Sequence, residues 1–256
     1  MKTIKSILSF VIFAIFATSC SKDDTPQVPA ENPSPIINLL VKEDYNGYKI
    51  EYIYDNSNKL IKINEPYFGT TGSSSEAIIT YNAAGKIDEI VKNQNGSLSY
   101  KSKTKYTYNF DGTLQKKETF KFNFLANNYR FESSSTYSYA LNKVIENILF
   151  NLDKSRKIYD YSISKNLIKI TNYDDVTDAN PSGNLSYEIS YSDFDDKNYS
   201  KTSLPEEYKF PQTFKNNYQK EATNTINFEY NPDGYPIKST IVGGLGFTKY
   251  EYLKAK

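Results

Sequence analysis

The chain of 256 residues has no histidine and no tryptophan, one cysteine, one methionine and two arginines, Arg130 and Arg156. Without histidine there is no Ser-His-Asp triad, no imidazole acid–base step and no His-ligated zinc. A lone cysteine closes no disulfide within the chain. The absence of tryptophan removes the ring most useful for stacking on sugars. Charge of one sign is lacking too, with 31 basic against 30 acidic side chains. A near-neutral, arginine-poor chain has no basic footprint, which excludes nucleic-acid binding. The one long apolar run, residues 7–16, falls short of the roughly twenty residues a spanning helix needs. Set against these absences are 24 tyrosines and 15 phenylalanines, residues that favour strands.

Lys2 and Lys5 precede that apolar run, and the small residues Ala17, Thr18 and Ser19 follow it into Cys20. Basic, apolar and small segments in this order read as an export signal. Small residues leading into a cysteine resemble a bacterial lipobox, with Ala17 in place of the commoner leucine. The resemblance implies that residues 1–19 are removed and that Cys20 becomes an acylated N-terminus. Several acyl chains, each methylene contributing about 0.8 kcal/mol, anchor a protein without a spanning segment. Removal of residues 1–19 leaves 237 residues with a net charge of −1. Ser21 follows the cysteine, so an inner-membrane retention aspartate is missing. Lys22-Asp23-Asp24 resembles a surface-export signal. Outer-membrane attachment is the expected location, with a surface-facing and a periplasm-facing leaflet both left open.

Residues 20–35 hold Pro26, Pro29, Pro33 and Pro35 and read as an extended tether. Residues 36–256 form one domain with an internal repeat. Its unit is Tyr-x-Tyr with a polar residue, a short turn and an apolar stretch. Tyr52-Ile53-Tyr54-Asp55, Tyr106-Thr107-Tyr108-Asn109 and Phe228-Glu229-Tyr230-Asn231 are clear copies. The second tyrosines fall at 54, 81, 108, 139, 161, 191, 230 and 252, at intervals of 22 to 39 residues. Such a unit holds two strands and two turns, and period-2 alternation places both rings of a Tyr-x-Tyr on one face. Asp111-Gly112 and Asp233-Gly234 supply turn chemistry. The expected fold is all-β, a single antiparallel meander of 14 to 16 strands. It rolls into a barrel-like form or stays an open single-layer sheet.

This repeat resembles the tyrosine–aspartate repeats of large bacterial surface shells. With the lipobox and Asp-Gly-Tyr-Pro (233–236), the chain is similar to a family of Gram-negative lipoproteins of unknown function. The family implies a porin-like, many-stranded β fold, and it carries no active site to transfer. A membrane-spanning barrel fits strand alternation as well. The end Lys254-Ala255-Lys256, which is not an apolar strand, and the lipid anchor argue against it.

The acidic groups Asp174, Asp175, Asp178 and Asp193, Asp195, Asp196 lack the glycine and bidentate glutamate of a calcium loop, so they read as solvated loops. No metal, cofactor or catalytic residue is expected. Aromatics outside the repeat are the candidate ligand contacts: Tyr67 and Phe68, then Tyr208, Phe210 and Phe214. Their alternative role is to fold back and cap a barrel end. The leading functional expectation is a non-enzymatic, lipid-anchored envelope protein that binds an extracellular glycan or protein. A structural component of an outer-membrane complex is the alternative, and a carboxylate-based glycosidase is third.

Overall fold

The computed structural model describes residues 37–66, 74–95 and 100–256. Cys20, the proline-rich segment, Tyr67 and Phe68 lie outside the described residues.

The described chain opens with β1 (Asn38–Tyr45), β2 (Tyr48–Tyr54), β3 (Leu60–Pro66), β4 (Ser74–Tyr81) and β5 (Ile87–Asn95). It continues with β6 (Tyr100–Tyr108), β7 (Leu114–Asn123), β8 (Asn128–Ala140) and β9 (Lys143–Phe150). Then come β10 (Asp153–Tyr161), β11 (Leu167–Asp174), β12 (Asn184–Phe194) and the short helix α1 (Glu206–Lys209). The last strands are β13 (Tyr218–Glu221), β14 (Asn224–Tyr230), β15 (Pro236–Ile241) and β16 (Phe247–Lys254). Every strand pairs antiparallel with its sequence neighbours, and β1 pairs with β16, so sixteen strands close one barrel. Closure removes both exposed edges.

The repeat builds one rim of this barrel. At Tyr54, Tyr81, Tyr108, Tyr161 and Tyr230 the register slips by one residue, so each tyrosine faces Leu60, Ile87, Leu114, Leu167 or Pro236 across a bulge. The turns beyond are alike. Asn82 Oδ1 accepts the amides of Ala84 and Lys86 at 3.0 and 3.1 Å, and Gly85 takes a φ of +76°. Asp55 Oδ1 does the same for Ser57 and Lys59 at 2.8 and 2.9 Å. Bulges increase local twist and turn side chains inward, as curving a sheet into a barrel requires.

Tyrosine hydroxyls then tie each hairpin to the previous one. Tyr54 donates to the Leu40 carbonyl at 2.9 Å. Tyr81, Tyr108 and Tyr139 donate to the carbonyls of Leu60, Ile87 and Leu114, each at 2.6 Å. The ring packs on the inner face while the hydroxyl finds a backbone partner, so burying the ring does not strand its hydroxyl.

Two apolar clusters line the inside. One joins Leu40, Tyr52, Leu60, Ile63, Ile79 and Ile87, and the other joins Leu114, Tyr137, Val144, Tyr159, Leu167 and Ile170. Full burial of each aliphatic side chain contributes roughly 1.5–3 kcal/mol. Both chain ends of the barrel meet at the repeat rim, where the Ala255 amide donates to the Ile37 carbonyl at 2.9 Å.

Candidate functional site in the barrel lumen

Sixteen strands enclose a lumen too wide for wall side chains to fill. Residues 195–217, between β12 and β13, occupy it at the repeat rim. Leu204 seats in the first cluster, while Phe210 and Phe214 pack against the second. Ser203 Oγ accepts the Leu40 amide at 2.9 Å, and Lys117 Nζ donates to the Phe210 carbonyl at 2.8 Å. Asn166 Oδ1 accepts the amides of Lys215 and Asn216 at 2.7 and 2.9 Å. These partners sit on opposite stretches of wall, which only a segment inside the barrel can touch together. The loop is a plug.

The plug settles where three of the candidate residues lie. Phe210 meets Tyr137 edge-on at 5.2 Å, and Phe214 meets Tyr191 at 5.0 Å. Both rings therefore join plug to wall. Tyr208 stands among the luminal groups Tyr52, Tyr106, Glu43 and Glu65, yet 37 % of it is exposed. Burial, with the nearby charges of Glu65 and Glu43, holds its hydroxyl well above the ordinary tyrosine range.

Carboxylates turned into the lumen are each engaged. Glu43 accepts the Tyr52 hydroxyl at 2.9 Å and pairs with Lys201 of the plug at 3.1 Å. Glu146 accepts the hydroxyls of Tyr137 and Tyr159 at 2.8 and 2.7 Å. Glu65 pairs with Lys92. Among the described residues, no group of three or more His, Cys, Asp or Glu is arranged to hold a metal ion.

Lys117 is the luminal cation with the most perturbed proton. Burial lowers its ammonium to about 8, opposed by the charges of Glu146 and Glu207. Its Nζ lies 5.5 Å from the Tyr106 ring centre and 5.7 Å from that of Tyr137. The group therefore ties wall to plug through one carbonyl and two ring faces.

Beside the plug a chamber of about 260 Å³ opens between β1 and β13–β16. Tyr199, Tyr218, Phe228 and Tyr250 line it, with Glu43, Lys201 and Ser239. Tyr250 and Ser239 share a hydrogen bond of 3.1 Å. The chamber thus offers several rings, a carboxylate–ammonium pair and two hydroxyls. Such walls can stack on a flat apolar face and hydrogen-bond the hydroxyl rim around it.

The outer wall mixes cross-strand ion pairs with exposed aliphatic side chains such as Ile53, Ile78, Ile168 and Ile237. Cross-strand pairs join Lys42 to Glu251 at 3.0 Å, Lys62 to Glu76 at 2.7 Å, Lys169 to Glu188 at 2.6 Å and Lys238 to Glu229 at 2.8 Å.

Sequence reasoning missed Glu43, Glu146, Lys117 and the chamber. One signal was available for Glu146, which shares strand parity with the buried Val144 on β9. Nothing local announces the chamber, because its rings come from strands far apart in sequence.

No family model matches the chain, and no curated protein matches it. Among solved structures, a porin-like protein from Bacteroides uniformis is similar over 86 % of this chain and 98 % of its own, at 7 % identity and a TM-score of 0.38. A protein with unknown function from Bacteroides fragilis is similar over 46 % of this chain and 91 % of its own, at 20 % identity and a TM-score of 0.38. A DUF3836 family protein from Parabacteroides distasonis is similar over 33 % of this chain and 91 % of its own, at 19 % identity and a TM-score of 0.28.

Proposed function

We propose that this is a lipid-anchored, non-enzymatic envelope protein that takes a glycan terminus into its luminal chamber. The observation that carries the reading is the chamber's lining, six rings beside the Glu43–Lys201 pair and the Ser239–Tyr250 hydroxyls. A volume of about 260 Å³ suits one sugar ring rather than a long chain. The rings stack on the sugar's C–H face, and the polar groups receive and donate at its hydroxyls. Cross-strand ion pairs on the outer wall, such as Lys62–Glu76 and Lys238–Glu229, support a barrel standing in water, held to the membrane by acyl groups on Cys20.

A glycan array probed with the purified chain tests the binding. Phe228→Ala and Tyr250→Phe should each weaken the best hit by about tenfold, which is roughly 1.4 kcal/mol. An array with no hit from folded protein overturns the glycan reading. For the anchor, Cys20→Ala should abolish metabolic acyl labelling and release the protein from membranes. Labelling that persists refutes lipidation at Cys20.

A further inference from the structure

Three neighbouring hairpins bare a large apolar side chain at their turns. Phe110 stands wholly in solvent between β6 and β7, Leu141 is 92 % exposed between β8 and β9, and Ile163 is 90 % exposed between β10 and β11. The turns themselves do not need these residues. Phe110 and Ile163 each follow the residue whose carbonyl closes the turn, Asn109 or Ser162, a place that Asn56, Ala83 and Pro232 take in other repeat turns. Adjacent hairpins lie about 10 Å apart around a sheet, two strand spacings, so the three tips make one apolar arc.

All three tips are on the repeat rim, where the chain enters the barrel at Ile37 and leaves it at Ala255. Eight strands separate the turn holding Leu141 from the β1–β16 seam in either direction, so arc and seam stand on opposite sides of the rim. The other rim bares apolar side chains too, at Leu125, Leu152 and Leu245. Two things set the rims apart. The chain coming from Cys20, seventeen positions before Ile37, joins the barrel at the repeat rim. Charge differs as well. Among the described residues, the hairpin turns of the other rim hold no lysine or arginine and two carboxylates, Asp175 and Asp178. In the hairpin turns of the repeat rim, Lys59, Lys86 and Lys165 balance Asp55, Asp111 and Asp233. An anionic lipid surface therefore repels the far rim and not this one.

We propose that the repeat rim rests on a phospholipid surface, with Phe110, Leu141 and Ile163 set into the boundary between headgroups and acyl chains. The upright orientation rests on the acyl anchor at Cys20 given under the proposed function; the apolar contact itself does not. An anchor on a tether sets how far the barrel can stray, and a second apolar contact sets which way it points. With the seam tethered on one side and the arc buried on the other, the barrel stands upright on the membrane. The luminal chamber then faces outward, since it runs from Tyr199 and Lys201 of the plug to Tyr45, Ile241 and Gly246 at the far rim.

The test uses the full chain with Cys20→Ala, which leaves no thiol to acylate, and one new cysteine per variant labelled with the polarity-sensitive dye NBD. Phe110→Cys, Leu141→Cys and Ile163→Cys report the arc, and Leu125→Cys and Leu245→Cys report the far rim. On adding vesicles of mixed phosphatidylglycerol and phosphatidylcholine, emission should shift to the blue and rise about twofold at the three arc positions. It should stay unchanged at 125 and 245. Residues 7–16 partition alike in every variant, so the comparison between label positions reads the rim. With the label at 163, Phe110→Ser and Leu141→Ser together should reduce the shift several-fold. All of these substitutions fall on exposed side chains, and an unchanged melting curve certifies the fold. Equal shifts at both rims overturn the proposal. So does the absence of a shift at the three tips, the result expected if the arc binds a protein instead. Acyl labelling of Cys20 is a separate measurement, so the anchor and the lipid-facing arc stand or fall separately.

Discussion

Tyr137 and Glu146 face each other across β8 and β9, and the tyrosine hydroxyl donates to the carboxylate at 2.8 Å. Tyr159 serves the second oxygen at 2.7 Å, so one buried carboxylate satisfies two buried hydroxyls. Glu146→Ala removes both acceptors and the negative charge that partly offsets the buried Lys117. The loss should be about 3–5 kcal/mol, the range for breaking a buried charged network. A urea titration checks it, with the midpoint falling and the slope unchanged.

Lys117 gives the barrel a pH-dependent stability of known sign. Its folded-state pKa is lowered to about 8 against 10.5 for the free side chain. Between these values the unfolded chain holds a proton that the folded chain has released. Stability owed to this group therefore grows as pH rises through the window and is lost as pH falls toward 8. Lys117→Met isolates the effect, because other titrations are common to both proteins. From pH 8 to 10 the wild type should gain on the variant by roughly 1 kcal/mol per unit. A constant difference would show that Lys117 does not titrate there.

The luminal tyrosines act in the opposite direction. Burial raises Tyr81 and Tyr191 to about 12, so the folded chain keeps protons that an unfolded chain loses near 10. Stability should fall steeply above pH 10. Absorbance at 295 nm should show these tyrosines ionising together with unfolding. Gradual ionisation of the intact barrel near pH 10 would contradict their burial.

The plug should carry more stability than the turn tips. Leu204 is 2 % exposed within the first cluster, whereas Phe110 stands wholly in solvent at its turn. Leu204→Ala should cost about 2–5 kcal/mol, and Phe110→Ala less than about 0.5 kcal/mol. Thermal melts of the two variants make the comparison.

Two glycines should separate conformational from steric cost. Gly183 has a φ of +73°, and an added Cβ would lie 2.7 Å from the Asp174 carbonyl oxygen and 2.8 Å from Val176 Cγ2. Gly47, at a φ of +91°, has open space around it. Alanine at 47 should cost about 1 kcal/mol and at 183 about 2–3 kcal/mol. Equal losses in denaturation would show that the loop at Gly183 yields without strain.

The hairpins were legible in the sequence because their signals are local. Tyr54, Tyr81 and Tyr108 recur every 27 residues, and each marks a bulge before a turn closed by an Asx side chain or a left-handed residue. Closure was not legible, since the pairing of Leu40 with Tyr252 joins residues at opposite ends of the chain. Strand alternation looks the same in an open sheet. The plug was half legible. Phe210 and Phe214 stood out as loop aromatics, but their seats on Tyr137 and Tyr191 depend on a lumen that exists only after closure.

The bond between β1 and β16 also orders events in time. The first strand of the barrel waits for the last, because Asn38 finds its partner Lys254 only once β16 has emerged. Until then the growing sheet carries an unpaired edge at each side, and the contacts that end this state have the longest separation in the fold. Distant pairing of this kind slows folding. Completion of the barrel is therefore coupled to the arrival of its final dozen residues, and anything that delays or removes them leaves an adhesive sheet rather than a smaller barrel.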